Sequence, residues 1–147
     1  MNLEMILKMW EKDSQINEHL LDETTIDNAK LHSKYLELLT TFKLRLKKSE
    51  IEYDNLLKNK WLYYNGKLSK AEIDEFGWEY DPFNGLKVLK GDMEYYYKAD
   101  KDIQNAQAKM HYNQTVIDTL KEILDAVKWR HQHIKNIIDW RRFTSGA

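Results

Sequence analysis

The chain has 147 residues and no cysteine, and its 23 basic and 24 acidic side chains give a formal net charge of -1. This near-neutral total excludes a uniformly basic nucleic-acid coat protein but is compatible with a local basic patch. The missing cysteine excludes disulfide scaffolds, thiol nucleophiles and Cys-based zinc sites. Because the chain begins with no long apolar run, we expect a soluble intracellular protein, with one domain at this length.

The first predicted element is a short amphipathic helix of about three turns. Apolar side chains recur there with i, i+3, i+4, i+7 spacing, at Leu3, Ile6, Leu7 and Trp10. We expect the residues from Ser14 to Thr25 to connect this helix to the next element.

Two long helices with coiled-coil-like 3.5-residue periodicity are predicted next, which makes the fold class mainly α. The stripe of the first long helix runs from Thr25 onward and ends at Asn65-Gly66; it consists of Tyr35, Leu39, Phe42, Leu46, Ser49, Tyr53, Leu56, Lys60 and Tyr63. The stripe of the second consists of Ile103, Ala106, Met110, Asn113, Ile117, Leu120, Leu124, Val127, His131, Ile134 and Ile138. Helices of this length, about 60 Å, need a helical hairpin or a partner subunit to cover their stripes.

Two polar residues, Asn113 and His131, interrupt the second stripe. A buried polar group at such a position fixes the pairing register of two helices. The alternative is that both side chains face water where the stripe opens, and the spacing does not decide between these possibilities.

The middle segment, residues 65–92, contains the single proline and four of the five glycines, so we expect it to be irregular or to contain a hairpin. Ser69 and Glu72 have capping-box spacing, which predicts one or two helical turns from Lys70 to Phe76. Residues 86–89, between two glycines, favour a short strand in a small hairpin. The three consecutive tyrosines at 95–97 cannot face one way, so at least one must be exposed or at an interface.

The net charge divides into opposed blocks of -5 in residues 1–27, +6 in residues 28–70, -5 in residues 71–102 and +3 in residues 103–147. The +6 block combines cations, which follow phosphates, with aromatic rings, which stack on unpaired bases. The candidate single-strand-binding residues are Lys43, Arg45, Lys47, Lys48, Lys58, Lys60, Trp61, Tyr63, Tyr64 and Lys67.

Helical geometry divides these candidates. On a continuous helix one face carries Lys60, Tyr63, Tyr64 and Lys67, whereas Lys58 is about 200° from Lys60 and lies beside Trp61. The structural alternative is that Trp61 and Tyr63 pack in the core while the lysines are solvated and form ordinary intrahelical pairs.

Other constellations carry little chemistry. His131 and His133 are an i, i+2 pair that points two ways on a helix, so we predict no metal site and no cofactor. Phosphate-binding loops, nucleophile motifs and paired catalytic carboxylates are absent from the sequence, so we expect no enzyme. The acidic residues of segment 74–81 are interleaved with aromatic residues, which favours either a surface loop pinned by its rings or a dock for a basic partner.

The last helix is predicted to mediate self-association. Large apolar groups surround most of its circumference and only four residues follow Phe143, so a neighbouring subunit is expected to cover it. Packing within one subunit is the alternative. The candidate oligomerisation residues are Leu124, Val127, Ile134, Ile137, Ile138, Trp140 and Phe143.

The segment Lys58-Asn-Lys60-Trp-Leu-Tyr63-Tyr64-Asn-Gly66-Lys67 resembles the basic segment of the UvsY recombination mediators of tailed phages. Further similarity occurs at Ser33-Lys-Tyr35-Leu, Ala99-Asp-Lys-Asp-Ile103, Leu124-Asp-Ala-Val-Lys128 and Ile134-Lys-Asn-Ile-Ile-Asp-Trp-Arg-Arg-Phe143. The order and spacing of these matches cover essentially the whole chain, and residues 68–90 depart most from the family pattern.

The resemblance implies a non-enzymatic mediator that binds single-stranded DNA and assembles into a closed ring. It also implies two partners, a RecA-like phage recombinase and the single-strand-binding protein that the recombinase replaces, in the cytoplasm of the infected bacterial host. The family's DNA-binding basic positions fall on Lys58 and Lys60, and its ring-forming segment ends at Phe143. The implied division is a DNA-binding region at 1–100, with the loop segment 65–92, and an oligomerisation region at 101–147. A structural coiled-coil assembly protein without DNA binding is the rival function.

Overall fold

The computed structural model describes residues 1–146, which form five α-helices. These are α1 (Leu3–Asp13), α2 (Leu21–Tyr64), α3 (Lys70–Phe76), α4 (Met93–Ala99) and α5 (Lys101–Thr144), with a 3-10 turn at Lys90–Asp92 before α4. Residues 1–146 contain no β-strand. The prediction of a mainly α fold with two long helices is confirmed.

The first helix begins as predicted, because the Asn2 carboxamide oxygen accepts a hydrogen bond from Met5 N at 2.9 Å and caps α1. The start of α2 differs: it begins at Leu21, and the connection is shorter than predicted. Thr24 and Thr25 are already helical, and their hydroxyls donate to carbonyls four residues back, at 2.8 and 2.9 Å.

The Asn65-Gly66 stop of α2 is confirmed. Gly66 adopts the left-handed conformation with φ of 67°, and Lys67 N donates to Leu62 O at 2.9 Å. This is a glycine-terminated helix end, in which the reversed chain satisfies the last carbonyls. The chain therefore changes direction at Gly66, and the residues that follow do not continue along the axis of α2.

In the middle segment, the capping-box helix is confirmed and the strand is wrong. Ser69 Oγ accepts from Glu72 N at 3.2 Å at the start of α3, and Gly77 ends the helix with φ of 75°. Residues 86–89 form no strand because turns close on both sides of them: Leu86 N bonds to Phe83 O, and Asp92 N bonds to Leu89 O. A strand needs a partner backbone, and no other strand occurs among the described residues.

The chain divides into two compact units. The first joins Met1–Arg45 to the chain from Asn113 onward, and the second is Leu46–Tyr112. In the first unit the side chains of Tyr35, Phe42 and Ile6 are fully buried, and the rings of Trp10 and Tyr35 meet edge to face at 5.5 Å. The predicted stripe of α2, from Tyr35 to Tyr63, is buried or half-buried at every position. The functional division at residue 100 concerns binding regions and stays a prediction.

The polar residues of the second stripe behave differently from each other. Asn113 is buried, whereas His131 is exposed and follows the alternative of facing water. The neighbouring Arg130 is buried instead: it donates to Asn28 Oδ1 at 3.0 Å and to Gln15 O at 2.7 Å. A helix with 3.6 residues per turn drifts from a strict 3.5 repeat, which brings Arg130 to the packed side.

Candidate nucleic-acid interface

Lys60 lies inside the second unit, with only 4% of its surface exposed. Its Nζ is 2.9 Å from Asp100 Oδ2 and 2.9 Å from Asp102 Oδ2. The same ammonium lies 4.0 Å from the centroid of the Trp78 ring. A buried charge is stable only when it is paired and hydrogen-bonded, and these contacts meet that condition. Lys60 therefore has no free face for a phosphate.

Asp100 holds this arrangement together. Its Oδ2 also accepts from the Tyr64 hydroxyl at 2.6 Å, and its Oδ1 accepts from Ile103 N at 3.0 Å at the start of α5. Burial alone would raise the pKa of Asp100, but the hydrogen bonds from Tyr64, Ile103 N and Lys60 outweigh burial and lower it. The carboxylate therefore stays ionised at neutral pH and keeps the Lys60 charge compensated.

Aromatic side chains complete the interior cluster, which we define as Lys60, Tyr63, Tyr64, Trp78 and Asp100. Tyr63 is buried, its ring centroid is 5.0 Å from that of Trp78, and its hydroxyl donates to the Glu79 carbonyl. Phe83 packs on Tyr64 at 5.8 Å. These contacts pin the acidic segment 74–81 to the end of α2, as expected of a surface loop fixed by its rings.

Trp61 lies outside this cluster and is 46% exposed. Lys67 Nζ lies 4.5 Å from the centroid of its indole ring. Both side chains line the basic recess, a groove of about 430 Å³ whose lining residues are Trp61, Asn65, Lys67, Lys90, Met93 and Tyr97. Asn65 Nδ2 donates to Trp61 O at 2.7 Å and to the Tyr97 hydroxyl at 3.3 Å, which ties α4 to the end of α2.

The residues predicted to share one face with Lys60 do not all lie together in the structure. Lys67 does not share a face with Lys60, because α2 ends at Tyr64 and the turn at Gly66 carries Lys67 back over Trp61. The alternative that Trp61 packs in the core is wrong, whereas Tyr63 is indeed buried. Lys58 is exposed on α2. Exposed candidates at this end of the helix are thus Lys58, Trp61 and Lys67.

The upstream basic candidates do not line the basic recess. In the first unit Lys43 is exposed, and the Arg45 guanidinium lies 4.6 Å from the Phe42 ring centroid. In the second unit Lys47 faces Glu50 at 4.0 Å, and Lys48 is exposed. Their contact with DNA stays a prediction.

Lys90 and Tyr97 were missed by the sequence analysis. Lys90 belongs to the block of charge -5, so counting by segment concealed it. The tyrosine triplet did signal an exposed ring, and Tyr95 is 70% exposed, but only the fold shows that Tyr97 lies beside Trp61.

The end of α5 keeps an uncovered aromatic surface in the first unit. Val127 and Ile134 are buried within the subunit, and Leu124, Ile137 and Ile138 are half-buried. The stacked rings of Trp140 and Phe143, 5.9 Å apart, remain 65% and 77% exposed. Trp129 is also exposed, and the spacing of eleven residues places it on the same side of α5 as Trp140. The apolar surface that this end of α5 leaves exposed is therefore mainly aromatic.

Within the described residues, neither long helix has an apolar stretch of the length and purity that crossing a membrane requires. Among the same residues, no group of three or more His, Cys, Asp and Glu side chains is placed to hold a metal ion.

The basic recess combines lysines with an exposed aromatic ring, and these are the two groups that contact phosphates and unpaired bases in single-strand-binding proteins. A family model described as "Recombination, repair and ssDNA binding protein UvsY" matches residues 9–147, and the chain belongs to this family. The recombination protein uvsY of Enterobacteria phage T4 is 29% identical over 146 residues, which are 99% of either chain.

Solved structures show the same likeness. A crystal structure of the bacteriophage T4 recombination mediator protein UvsY matches with a TM-score of 0.83 and 27% identity, over 99% of this chain and 98% of that one. A second lattice form matches with a TM-score of 0.81 and 26% identity, over 98% and 99%. The structural likeness to T4 UvsY is therefore consistent with membership of the UvsY family.

Proposed function

We propose that the protein is a non-enzymatic, single-stranded-DNA-binding mediator of phage recombination. It helps to load a RecA-like recombinase onto DNA covered by single-strand-binding protein, in the cytoplasm of the infected host. Membership of the UvsY family and the likeness to T4 UvsY support this role.

The observation that carries the proposal is the basic recess. The exposed Trp61 ring offers a stacking surface for a base, and Lys67 and Lys90, which line the same recess, supply cations for the neighbouring phosphates. Lys58 extends the cationic surface along α2, and no sequence readout is needed. The interior cluster, Lys60 included, holds the end of α2 and so positions this recess.

The mechanism depends on repetition. One recess neutralises only a few phosphates and binds weakly at physiological salt. A closed ring, assembled through the aromatic end of α5, repeats the recess and raises the effective concentration at each further site. A strand drawn across several recesses detaches from the single-strand-binding protein and becomes available to the recombinase.

The test measures the affinity for fluorescently labelled oligo-dT over a range of salt concentrations. Replacing Lys67 and Lys90 together by Ala should lower the affinity and reduce the salt slope by about 0.7 for each phosphate that is no longer neutralised. Lys98→Ala is the matched control, because Lys98 is an exposed lysine on α4 outside the recess. A double variant with an unchanged salt slope would refute the assignment of the recess.

Tryptophan fluorescence distinguishes the proposed function from its rival, a structural coiled-coil protein that does not bind DNA. Oligo-dT should quench the wild-type signal at low salt, and Trp61→Phe should remove most of that quenching, because stacking on the indole causes it. If oligo-dT neither binds nor quenches, the structural role is favoured.

A further inference from the structure

Helix α4 has a second recess on its other side, with opposite chemistry. This tyrosine pocket has a volume of about 490 Å³ and is lined by Tyr64, Asp92, Tyr95, Tyr96, Ala99 and Asp100. We propose that it binds an arginine side chain from the basic surface of a protein partner. The inference goes beyond the proposed function and does not depend on DNA binding.

Three tyrosine rings provide the walls. The ring centroids of Tyr64 and Tyr96 are 6.4 Å apart at an interplanar angle of 50°, and Phe83 fixes Tyr96 by an edge-to-face contact at 4.8 Å. Tyr95 is largely exposed and leaves its ring available at the mouth of the pocket. The negative faces of aromatic rings attract cations, and guanidinium groups stack on such faces.

The charge of the pocket selects the sign of the ligand. Its lining contains two carboxylates and no lysine, arginine or histidine, so a phosphate is repelled. Asp100 is already paired with Lys60. The Asp92 side chain is exposed and has no ion pair or hydrogen bond among the described residues, so Asp92 supplies the anion for an incoming cation.

Arginine fits this combination better than lysine. A planar guanidinium can donate two parallel hydrogen bonds to one carboxylate while its face lies on a ring, whereas an ammonium is a point charge. The pocket also belongs to the block of charge -5 at residues 71–102, which favours a basic protein surface around the inserted side chain.

The direct test is a methyl NMR titration of the full-length protein labelled at alanine methyl groups, with Ala99→Ser used to assign the Ala99 signal. N-acetyl-arginine amide should shift the Ala99 signal saturably, and N-acetyl-lysine amide should bind more weakly. N-acetyl-citrulline amide has the same shape without the charge and should give no saturable shift. An equal response to the citrulline and arginine probes would overturn the proposal.

Variants locate the binding. Asp92→Asn should lower the affinity for the arginine probe about tenfold. Tyr95→Leu should lower it similarly, while Tyr95→Phe keeps the ring and the binding. Glu94→Gln removes the same charge two positions further along the chain, but Glu94 pairs with Lys98 and does not line the pocket. If Glu94→Gln weakens binding as much as Asp92→Asn, only general surface charge is recognised and the proposal is wrong.

The identity of the occupant is tested by sedimentation in the absence of other proteins. Asp92→Asn should leave the mass of the protein unchanged if the arginine belongs to a separate partner. A reduced mass would show that a second copy of this chain fills the pocket, which would overturn the assignment to a separate partner. Unfolding curves of the variants establish that each one is folded.

Discussion

Lys58 and Lys60 are two positions apart on α2 and lie in opposite environments. Lys60→Ala removes the cation beside buried Asp100 and should lower the free energy of unfolding by about 3 kcal/mol. Lys58→Ala alters an exposed residue and should change it by less than about 0.5 kcal/mol, while lowering oligo-dT affinity and the salt slope. Urea unfolding and DNA titration measure the two effects. Equal stability losses would contradict the positioning role of Lys60.

The ionisation of Asp100 predicts a pH dependence. Its pKa in the folded protein lies below the ordinary value of 3.8, so its contribution to stability is fully present above about pH 5. That contribution is lost as the pH falls through the lower, folded-state pKa. Asp100→Asn should therefore be less stable than the wild type at pH 7 and should lose less stability between pH 5 and 3.

A matched control keeps this pH effect specific. Asp74→Asn makes the same change at an exposed position of α3 and should keep the wild-type pH profile. The Asp100→Asn variant should retain some acid sensitivity, because hydrogen bonds from Lys34 and Tyr35 outweigh partial burial and also lower the pKa of Asp13. A profile of Asp100→Asn that parallels the wild type would show that Asp100 contributes no charge-dependent stability.

At the scale of the helix, Arg130 joins α5 to α2 and to the preceding connection. Its guanidinium is buried and satisfies Asn28 Oδ1 and Gln15 O, while Asn28 Nδ2 donates to Val127 O at 3.1 Å. Burial lowers the pKa of Arg130, and its Nε has no hydrogen-bond partner among the described residues. We therefore expect Arg130 to fix the pairing register of the two helices, at a cost in desolvation of its guanidinium.

Arg130→Ala should lower the free energy of unfolding by about 3 kcal/mol, because Asn28 and the Gln15 carbonyl lose their donor inside the unit. Arg130→Met with Asn28→Leu replaces both polar groups by apolar ones and should recover most of that stability. Thermal or urea unfolding measures both. The double variant also tests whether the pair fixes the register of α2 against α5. If the helices slipped past each other, the exposure of Tyr35 would change while the free energy of unfolding stayed the same.

Helices were predictable from the sequence because their signals are local. The stripe of α2, the Asn65-Gly66 stop and the Ser69 cap all depend on residues within a few turns. The site was less predictable because distant segments build it. Asp100, which pairs with the buried Lys60, is 40 positions away in the sequence. Lys90 and Tyr97 line the same recess as Trp61 because the irregular middle segment folds back to the end of α2. Charge and spacing indicated a stretch of α2 as the candidate site but did not show which of its side chains face solvent.

At the scale of the whole molecule, the proposed self-association requires apolar groups that one subunit leaves exposed. Val127 and Ile134 are already covered, so removing the end of α5 would damage the subunit core as well as any interface. Trp140 and Phe143 are the better targets because both are largely exposed. Substitution there should change assembly without changing the fold.

Trp140→Ala with Phe143→Ala should lower the mass measured by sedimentation to that of monomers or small oligomers, with an unchanged helical circular dichroism spectrum. Because linked recesses raise the effective concentration at each site, oligo-dT affinity at physiological salt should fall about a hundredfold although every lysine of the basic recess is retained. Leu44→Ala removes a comparably exposed apolar side chain from α2 and should alter neither quantity. If the double variant keeps its mass, the end of α5 does not close the ring. If the double variant dissociates and still binds long oligo-dT as tightly as the wild type, the affinity for DNA comes from a single recess and does not depend on assembly.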